Sequence, residues 1–362
     1  MSRNSTASAR IGRTPEDYTA IGIERGAVKP WEDGLRTGGG PGTFEWWYFD
    51  AHLDDGAKLV VVFSTKEFTA IAKPLAPTIR IDLALPDGTT VEKVAELDPK
   101  TFAAATDTCD VRIGENVFAG DLHTYTISAQ VEDVGVDITL TGQVPAWRPE
   151  TGFWYFGDGD AKYFAWLPSV PQGSVEVRYH VGEHVSTTTG IGYHDHNWGD
   201  TLMPKLMHHW YWARGAAGPY SVIASYITAE KAYGYSALPV FMLARDGELI
   251  ADDNTKVGFE ELGRYVDQQT GKPVGNVTGY SYTDGTERYV VTFTRHSDLT
   301  TAKLVDELKG AQKVAARLTG FDGAYLRFAG ELSIDHYRDE TLVESHTDDA
   351  LWELMYFGKA RP

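Results

Sequence analysis

From residue 58 to residue 294 this chain repeats one local pattern, a short alternating or β-branched run closed by turn residues, and that repetition limits the folds open to it. Thr78-Ile79-Arg80-Ile81-Asp82-Leu83-Ala84-Leu85 alternates with a period of two, and Pro86-Asp87-Gly88 closes it with hairpin chemistry. Lys58-Leu59-Val60-Val61-Val62-Phe63-Ser64 is a β-branched run. Tyr125 to Leu140, Val175 to Tyr179, Thr187 to Tyr193, Ser221 to Thr228, Val240 to Ala244 before Asp246-Gly247, and Tyr289 to Thr294 have the same character. Strands at such regular spacing, with few helices between them, predict an all-β protein of antiparallel sandwich or barrel architecture. The spacing of Leu304, Val305, Leu308, Val314 and Leu318 predicts one helix over Thr301 to Leu318, capped by Gly320.

A chain of 362 residues exceeds what one hydrophobic core usually supports, so two domains are expected. The periodic pattern lapses between Thr201 and Met207, which places an N-terminal domain over 41–203 and a C-terminal domain over 204–362. Residues 1–40 read as a partly ordered arm that ends in the joint Thr37-Gly38-Gly39-Gly40-Pro41-Gly42. The first ten residues carry positive charge with no apolar run behind them, and no segment reaches transmembrane length, so neither a signal peptide nor a membrane anchor is expected.

A net charge of −18, from 51 acidic against 33 basic residues scattered along the chain, argues against nucleic acid or an anionic membrane as partner. The single cysteine, Cys109, excludes an internal disulfide framework and fits a cytoplasmic location. Long antiparallel edges allow a homodimer, with no interface assigned. Ten Trp, nineteen Tyr and fifteen Phe make 12% of the chain, and their clustering suggests an aromatic-lined cavity besides ordinary core.

The titratable residues concentrate in Gly192-Tyr193-His194-Asp195-His196-Asn197-Trp198-Gly199-Asp200. In an extended segment His194 and His196 point to one side and Asp195 to the other. The cluster fits acid–base chemistry or substrate hydrogen bonding, or a corner in which Asp195 and Asn197 satisfy backbone groups. It also fits a metal held by His194, His196 and His208 or His209, which ranks last because no carboxylate at ligand spacing accompanies the pair. In Glu45-Trp46-Trp47-Tyr48-Phe49-Asp50, Trp46, Tyr48 and Asp50 share one face and Glu45, Trp47 and Phe49 the other. An acid among indoles can have its pKa raised, making Glu45 or Asp50 a candidate proton donor, while an aromatic-packed strand with solvent-facing acids explains the same residues. In Trp210-Tyr211-Trp212-Ala213-Arg214, Trp210, Trp212 and Arg214 fall on one face, where Arg214 can stack on an indole or pair with an acid. The Gly-rich stretch at 38–42 lacks the lysine and helix of a phosphate loop, and Cys109 has no visible catalytic partner, so no cofactor or covalent nucleophile is expected.

Glu45-Trp46-Trp47-Tyr48 together with Tyr193-His194-Asp195-His196-Asn197-Trp198-Gly199 resembles the hydroxyneurosporene synthase (carotenoid 1,2-hydratase) and AttH-like lipocalin superfamily, with tocopherol cyclases and fungal Diels–Alderases as looser relatives. The resemblance covers roughly residues 40–360 and implies two lipocalin-like β domains, an apolar isoprenoid-like or polyketide-like substrate, and addition of water, cyclisation or isomerisation without a redox cofactor. In the carotenoid hydratases the strand after the Trp-x-Trp segment supplies a further Tyr and Asp. Here that stretch is Ser221-Val222-Ile223-Ala224-Ser225-Tyr226-Ile227-Thr228, which keeps Tyr226 and lacks the acid.

The resulting expectation is a cofactor-independent hydratase, with an isomerase or cyclase, or a non-catalytic lipocalin-like carrier, as alternatives. Asp195, His194 or His196, with Glu45 and Tyr48 beside them, would move the proton. Trp46, Trp47, Trp198, Trp210, Trp212, Arg214 and Tyr226 would line the substrate site, and His196 or Asn197 would hold the attacking water.

Overall fold

The computed structural model describes residues 8–307 and 321–360. It is almost entirely antiparallel β-sheet, in two units of lipocalin-like type. One unit is Ile11–Tyr155 with Ala161–Leu202, and the other is Met203 onward with Phe156–Asp160 and, among the described residues, residues 8–10. No helix among the described residues is long and apolar enough to cross a membrane.

The N-terminal unit is organised by five strands: β1 (Phe44–Leu53), β2 (Lys58–Ser64), β3 (Thr78–Ala84), β4 (Lys162–Val181) and β5 (His184–Gly199). They lie side by side in the order β3-β2-β1-β5-β4 within a 13-stranded sheet. Alternation decides what each strand buries. In β3, Ile79, Ile81 and Leu83 enter the core, while Arg80 and Asp82 face outward and pair with each other. Val61, Phe63, Phe118, Ile127, Val136 and Val177 complete the same core. Each such side chain contributes about 1.5–3 kcal/mol by leaving water.

Residues 11–39 fold as part of this unit. Thr14 accepts the Asp17 N–H while Asp17 accepts the Thr14 N–H, a reciprocal cap that starts helix α1 (Pro15–Ile21), and Gly22 ends it at φ +72°. A single 3₁₀ turn follows at Pro30–Asp33, with Pro30 at its first position, and carries Glu32 and Asp33 into the interior.

The C-terminal unit is a nine-stranded antiparallel sheet. Among its strands are β6 (Met207–Ala217), β7 (Tyr220–Ala229), β8 (Val257–Leu262) and β9 (Thr341–Tyr356). Its core gathers Tyr211, Phe241, Tyr280, Phe293, Phe328, Trp352 and Leu354.

The expected helix at Thr301 to Leu318 is corrected over its first turn. Thr301, Ala302 and Lys303 continue the strand Glu287–Lys303 and pair with Leu326, Tyr325 and Ala324, so ladder hydrogen bonds override the apolar spacing. Helix occupies Leu304–Glu307, and residues 308–320 lie outside the described residues.

Candidate functional site

Strand register assembles the site. In the β5–β1 ladder His196 lies opposite Trp47, Asp195 opposite Tyr48, Asn197 opposite Trp46 and Trp198 opposite Glu45. On its other side β5 meets β4, with Trp166 opposite Asn197 and Pro168 opposite Asp195. The β4–β5 register slips twice between Pro168 and Gly173, beside the cluster, where Pro168 has no N–H to offer the ladder.

The period of two divides the cluster between the two faces of the sheet. His194, His196 and Glu45 have no accessible surface and gather around Asp33, which is itself 1% exposed. His194 Nδ1 lies 2.8 Å from the Tyr48 carbonyl oxygen and its Nε2 3.1 Å from Asp33 Oδ2. Nδ1 must donate to that carbonyl, so a single proton is held between His194 Nε2 and Asp33. The Tyr125 hydroxyl donates to the same carboxylate oxygen. His196 bridges two acids, with Nε2 at 2.9 Å from Glu45 Oε1 and Nδ1 at 3.4 Å from Asp33 Oδ1. Its ring is stacked on Trp47 at 4.6 Å and contacts Trp198 at 4.6 Å. Glu45 also accepts the backbone N–H groups of Arg36 and Thr37 and the Thr37 hydroxyl, each at 2.6 Å. Burial alone would push the Asp33 carboxyl up, but the charges of His194 and His196 and the hydrogen bonds of His194 and Tyr125 outweigh it and hold the group below the ordinary carboxylate value.

Asp195 belongs to the opposite face and is 7% exposed. Its Oδ2 accepts Trp166 Nε1–H and the Tyr193 hydroxyl, both at 2.7 Å, and its Oδ1 accepts Asn197 Nδ2–H at 2.7 Å. Burial nonetheless pushes the carboxyl above its ordinary value, because loss of solvent outweighs these three donors. Tyr48, half-buried on this face, donates to Asp50 Oδ2 at 3.1 Å.

Both faces end at a cavity of about 260 Å³ within the N-terminal unit. Trp31, Phe153, Tyr163, Trp166 and Trp198 supply aromatic walls, and Glu32, Arg36 and Arg148 supply charge. Trp166 and Trp198 thus reach the cavity while touching Asp195 and His196 respectively. Arg36 lies over the Trp31 ring at 4.9 Å, and Arg148 Nε is 3.0 Å from Glu32 Oε2 in a pair whose side chains are 4% and 5% exposed. Burial pushes the Glu32 carboxyl up despite Arg148, and pushes the Tyr163 phenol up to about 12.

Sequence reasoning missed Asp33, Glu32, Arg148 and Trp166. The one local signal for Glu32 and Asp33 is Pro30-Trp31-Glu32-Asp33-Gly34, a proline-started turn with two acids, inside a stretch read as an arm. Cys109, left without a partner on sequence, places its thiol with Asp33 and His194, the ligand atoms lying within 4.8 Å of one another. Burial and the neighbouring Asp33 hold that thiol well above its ordinary pKa, and a metal would require the thiolate.

The remaining expected residues are in the C-terminal unit. His208 and His209 share a hydrogen bond between their Nδ1 atoms at 2.7 Å, so the metal set of His194, His196 and either of them is not assembled within one unit. Trp210, Trp212 and Arg214 occupy the half-buried face of β6, with Trp210 Nε1 donating to Glu353 at 3.1 Å. Tyr226 stacks on Phe259 at 4.0 Å.

Fold and site therefore define an all-β, lipocalin-like protein with a buried acid–imidazole cluster beside an aromatic cavity. The Diels-Alderase-like family model matches residues 12–301, and the chain belongs to that family. It is 28% identical to the quinolone epoxide rearrangement protein asqO of Emericella nidulans over 196 residues, 50% of this chain and 53% of that protein. It is 26% identical to a hydroxyneurosporene dehydrogenase of Chlorobaculum tepidum over 207 residues, 48% of this chain and 54% of that protein. The chain spans about half the length of these curated relatives. Among solved structures, CghA superposes with a TM-score of 0.62 at 16% identity, covering 99% of this chain and 100% of that one, a likeness of fold.

Proposed function

We propose that this chain is an enzyme that isomerises a lipophilic, unsaturated or epoxidised small molecule by proton-initiated chemistry, with Asp195 as the acid. The observation that carries the reading is a carboxyl whose pKa is raised by burial and which is hydrogen-bonded to Trp166, itself a wall of the aromatic cavity. The family and the epoxide-rearranging relative support an isomerase or cyclase about as well as the hydratase expected from sequence.

In this mechanism Asp195 gives its proton to an epoxide oxygen or an alkene carbon, the C–O or π bond breaks, and positive charge develops on carbon. The faces of Trp31, Trp166 and Trp198 stabilise that cation by about 2 kcal/mol once water is excluded. A shift within the substrate then moves the cation, and loss of a proton to the Asp195 carboxylate restores the acid. Substrate and product are isomers, so the oxidation level is unchanged and no redox cofactor is consumed. Asp33, Glu45, His194 and His196 are at most 1% exposed, and their role is to position Trp47 and Trp198 and hold β1 against β5.

A second reading ends the same protonation in hydration. Asn197 spends one amide N–H on Asp195 Oδ1, and its other N–H can hold a water beside the cation; the water adds and its surplus proton returns to Asp195. An isoprenoid-like alkene would be the substrate of that branch.

The test is incubation with a panel of lipophilic epoxides, alkenes and tertiary alcohols in deuterated water, read by mass spectrometry. Rearrangement without added mass other than exchanged deuterium identifies the isomerase, and a gain of one water identifies the hydratase. Tight binding with no turnover of any panel member would sink both readings in favour of a carrier. Once a substrate is found, Trp166→Phe is expected to move the basic limb of the pH–rate profile to higher pH. The lost N–H favours the Asp195 carboxylate, so its removal raises the acid's pKa further. An unmoved limb would remove Asp195 from the role.

A further inference from the structure

The C-terminal unit holds a second cavity, of about 530 Å³, built wholly from its own residues and larger than the one beside Asp195. We infer that it is a binding site for a planar aromatic cation.

Two ring platforms frame it. Tyr226 of β7 and Phe259 of β8 stack at 4.0 Å with their planes 14° apart, and His209 of β6 and Tyr356 of β9 stack at 4.7 Å and 15°. Stacked pairs of this kind present the ring chemistry that a further aromatic surface can join, with Tyr280 already against Phe259 at 5.1 Å and Lys272 Nζ 5.2 Å over the Tyr356 ring. The volume falls within the range that accommodates a drug-sized ligand.

The charge is supplied by Glu260 and Glu261, adjacent on β8. Glu261 accepts the Tyr211 hydroxyl at 2.8 Å and has Arg264 Nε 3.7 Å away. Glu260, exposed, has no hydrogen-bond or ion-pair partner among the described residues. Two carboxylates against one guanidinium favour a cation over an anion, and negatively charged oxygens beside ring faces attract the same cation a second time.

An independent observation lies beneath the platform. Tyr280 is 1% exposed, its ring contacts Phe259 at 5.1 Å, and its hydroxyl has no hydrogen-bond partner among the described residues. The charges that act on it are those of Glu261 and Tyr226, both cavity residues. Tyr280 sits one ring behind Phe259 and outside the cavity lining, so it backs the platform and fixes the ring that faces the cavity.

The experiment titrates the full-length protein into 9-aminoacridine, a planar aromatic cation, followed by fluorescence anisotropy, with 1-anilinonaphthalene-8-sulfonate as the aromatic anion. One saturable 9-aminoacridine site is expected, bound more tightly than the anion. Phe259→Ala should weaken it by about tenfold and Glu260→Gln by about fivefold, while Glu32→Gln in the N-terminal unit should leave it unchanged. Glu260 is exposed and unpartnered, so its variant reports on binding even if Phe259→Ala disturbs folding. Absence of a saturable site, affinity unaffected by Glu260→Gln, or equal binding of the anion would each overturn the inference. The outcome is independent of whether Asp195 is the acid.

Discussion

Asp33→Ala is expected to lower the melting temperature of the N-terminal unit by about 10 °C. The substitution removes the group that His194, His196 and Tyr125 all address, and leaves two imidazoles and a phenol buried without it. Removing one partner of a buried ionic cluster costs about 3–5 kcal/mol, and in a unit of this size each kcal/mol moves the transition by about 2–4 °C. The pH dependence carries the sign. Asp33 has its carboxyl held below the ordinary 3.8, so its contribution is complete above that value and is lost as pH falls through the lower folded value. The difference between wild type and Asp33→Ala should therefore be full near neutrality and shrink in strong acid. Calorimetry across that range checks it, and a constant or growing gap on acidification would show that Asp33 is not the charged centre of the cluster.

Asp195→Asn is expected to reduce kcat by about a hundredfold to ten-thousandfold, the usual worth of a positioned acid, with KM and thermal stability changed far less. The amide keeps the shape and still accepts from Trp166 and Tyr193, but cannot release a proton. In the wild type the rate should fall as pH rises through the Asp195 pKa, which lies above 3.8 because of burial. A variant within tenfold of wild type would move the acid role elsewhere, with Glu32, a carboxyl that lines the cavity and is also raised by burial, as the next candidate.

What sequence reveals of this site follows from local geometry. A strand alternates its side chains, so His194 and His196 had to share one face and Asp195 the other, as they do around Asp33 and Trp166. The same rule grouped Glu45 with Trp47 and Tyr48 with Asp50. It could not show which face would be sealed. That depends on the segment before Gly40, whose 3₁₀ turn inserts Asp33 between the imidazoles, and an insertion 161 residues away in sequence leaves no periodic trace. Trp166 was invisible for a similar reason, because its partnership with Asp195 arises from the β4–β5 register and the slips after Pro168.

Composition and alternation by themselves determined the all-β class, the antiparallel pairing and the concentration of aromatics, because hydrophobic burial acts on each strand through its own pattern. The tertiary structure alone decided which carboxylates meet which imidazoles, which acids have their pKa raised by burial and where the cavities open. Those properties depend on desolvation and on charge separations of about 3 Å, which long-range packing sets and local sequence does not encode.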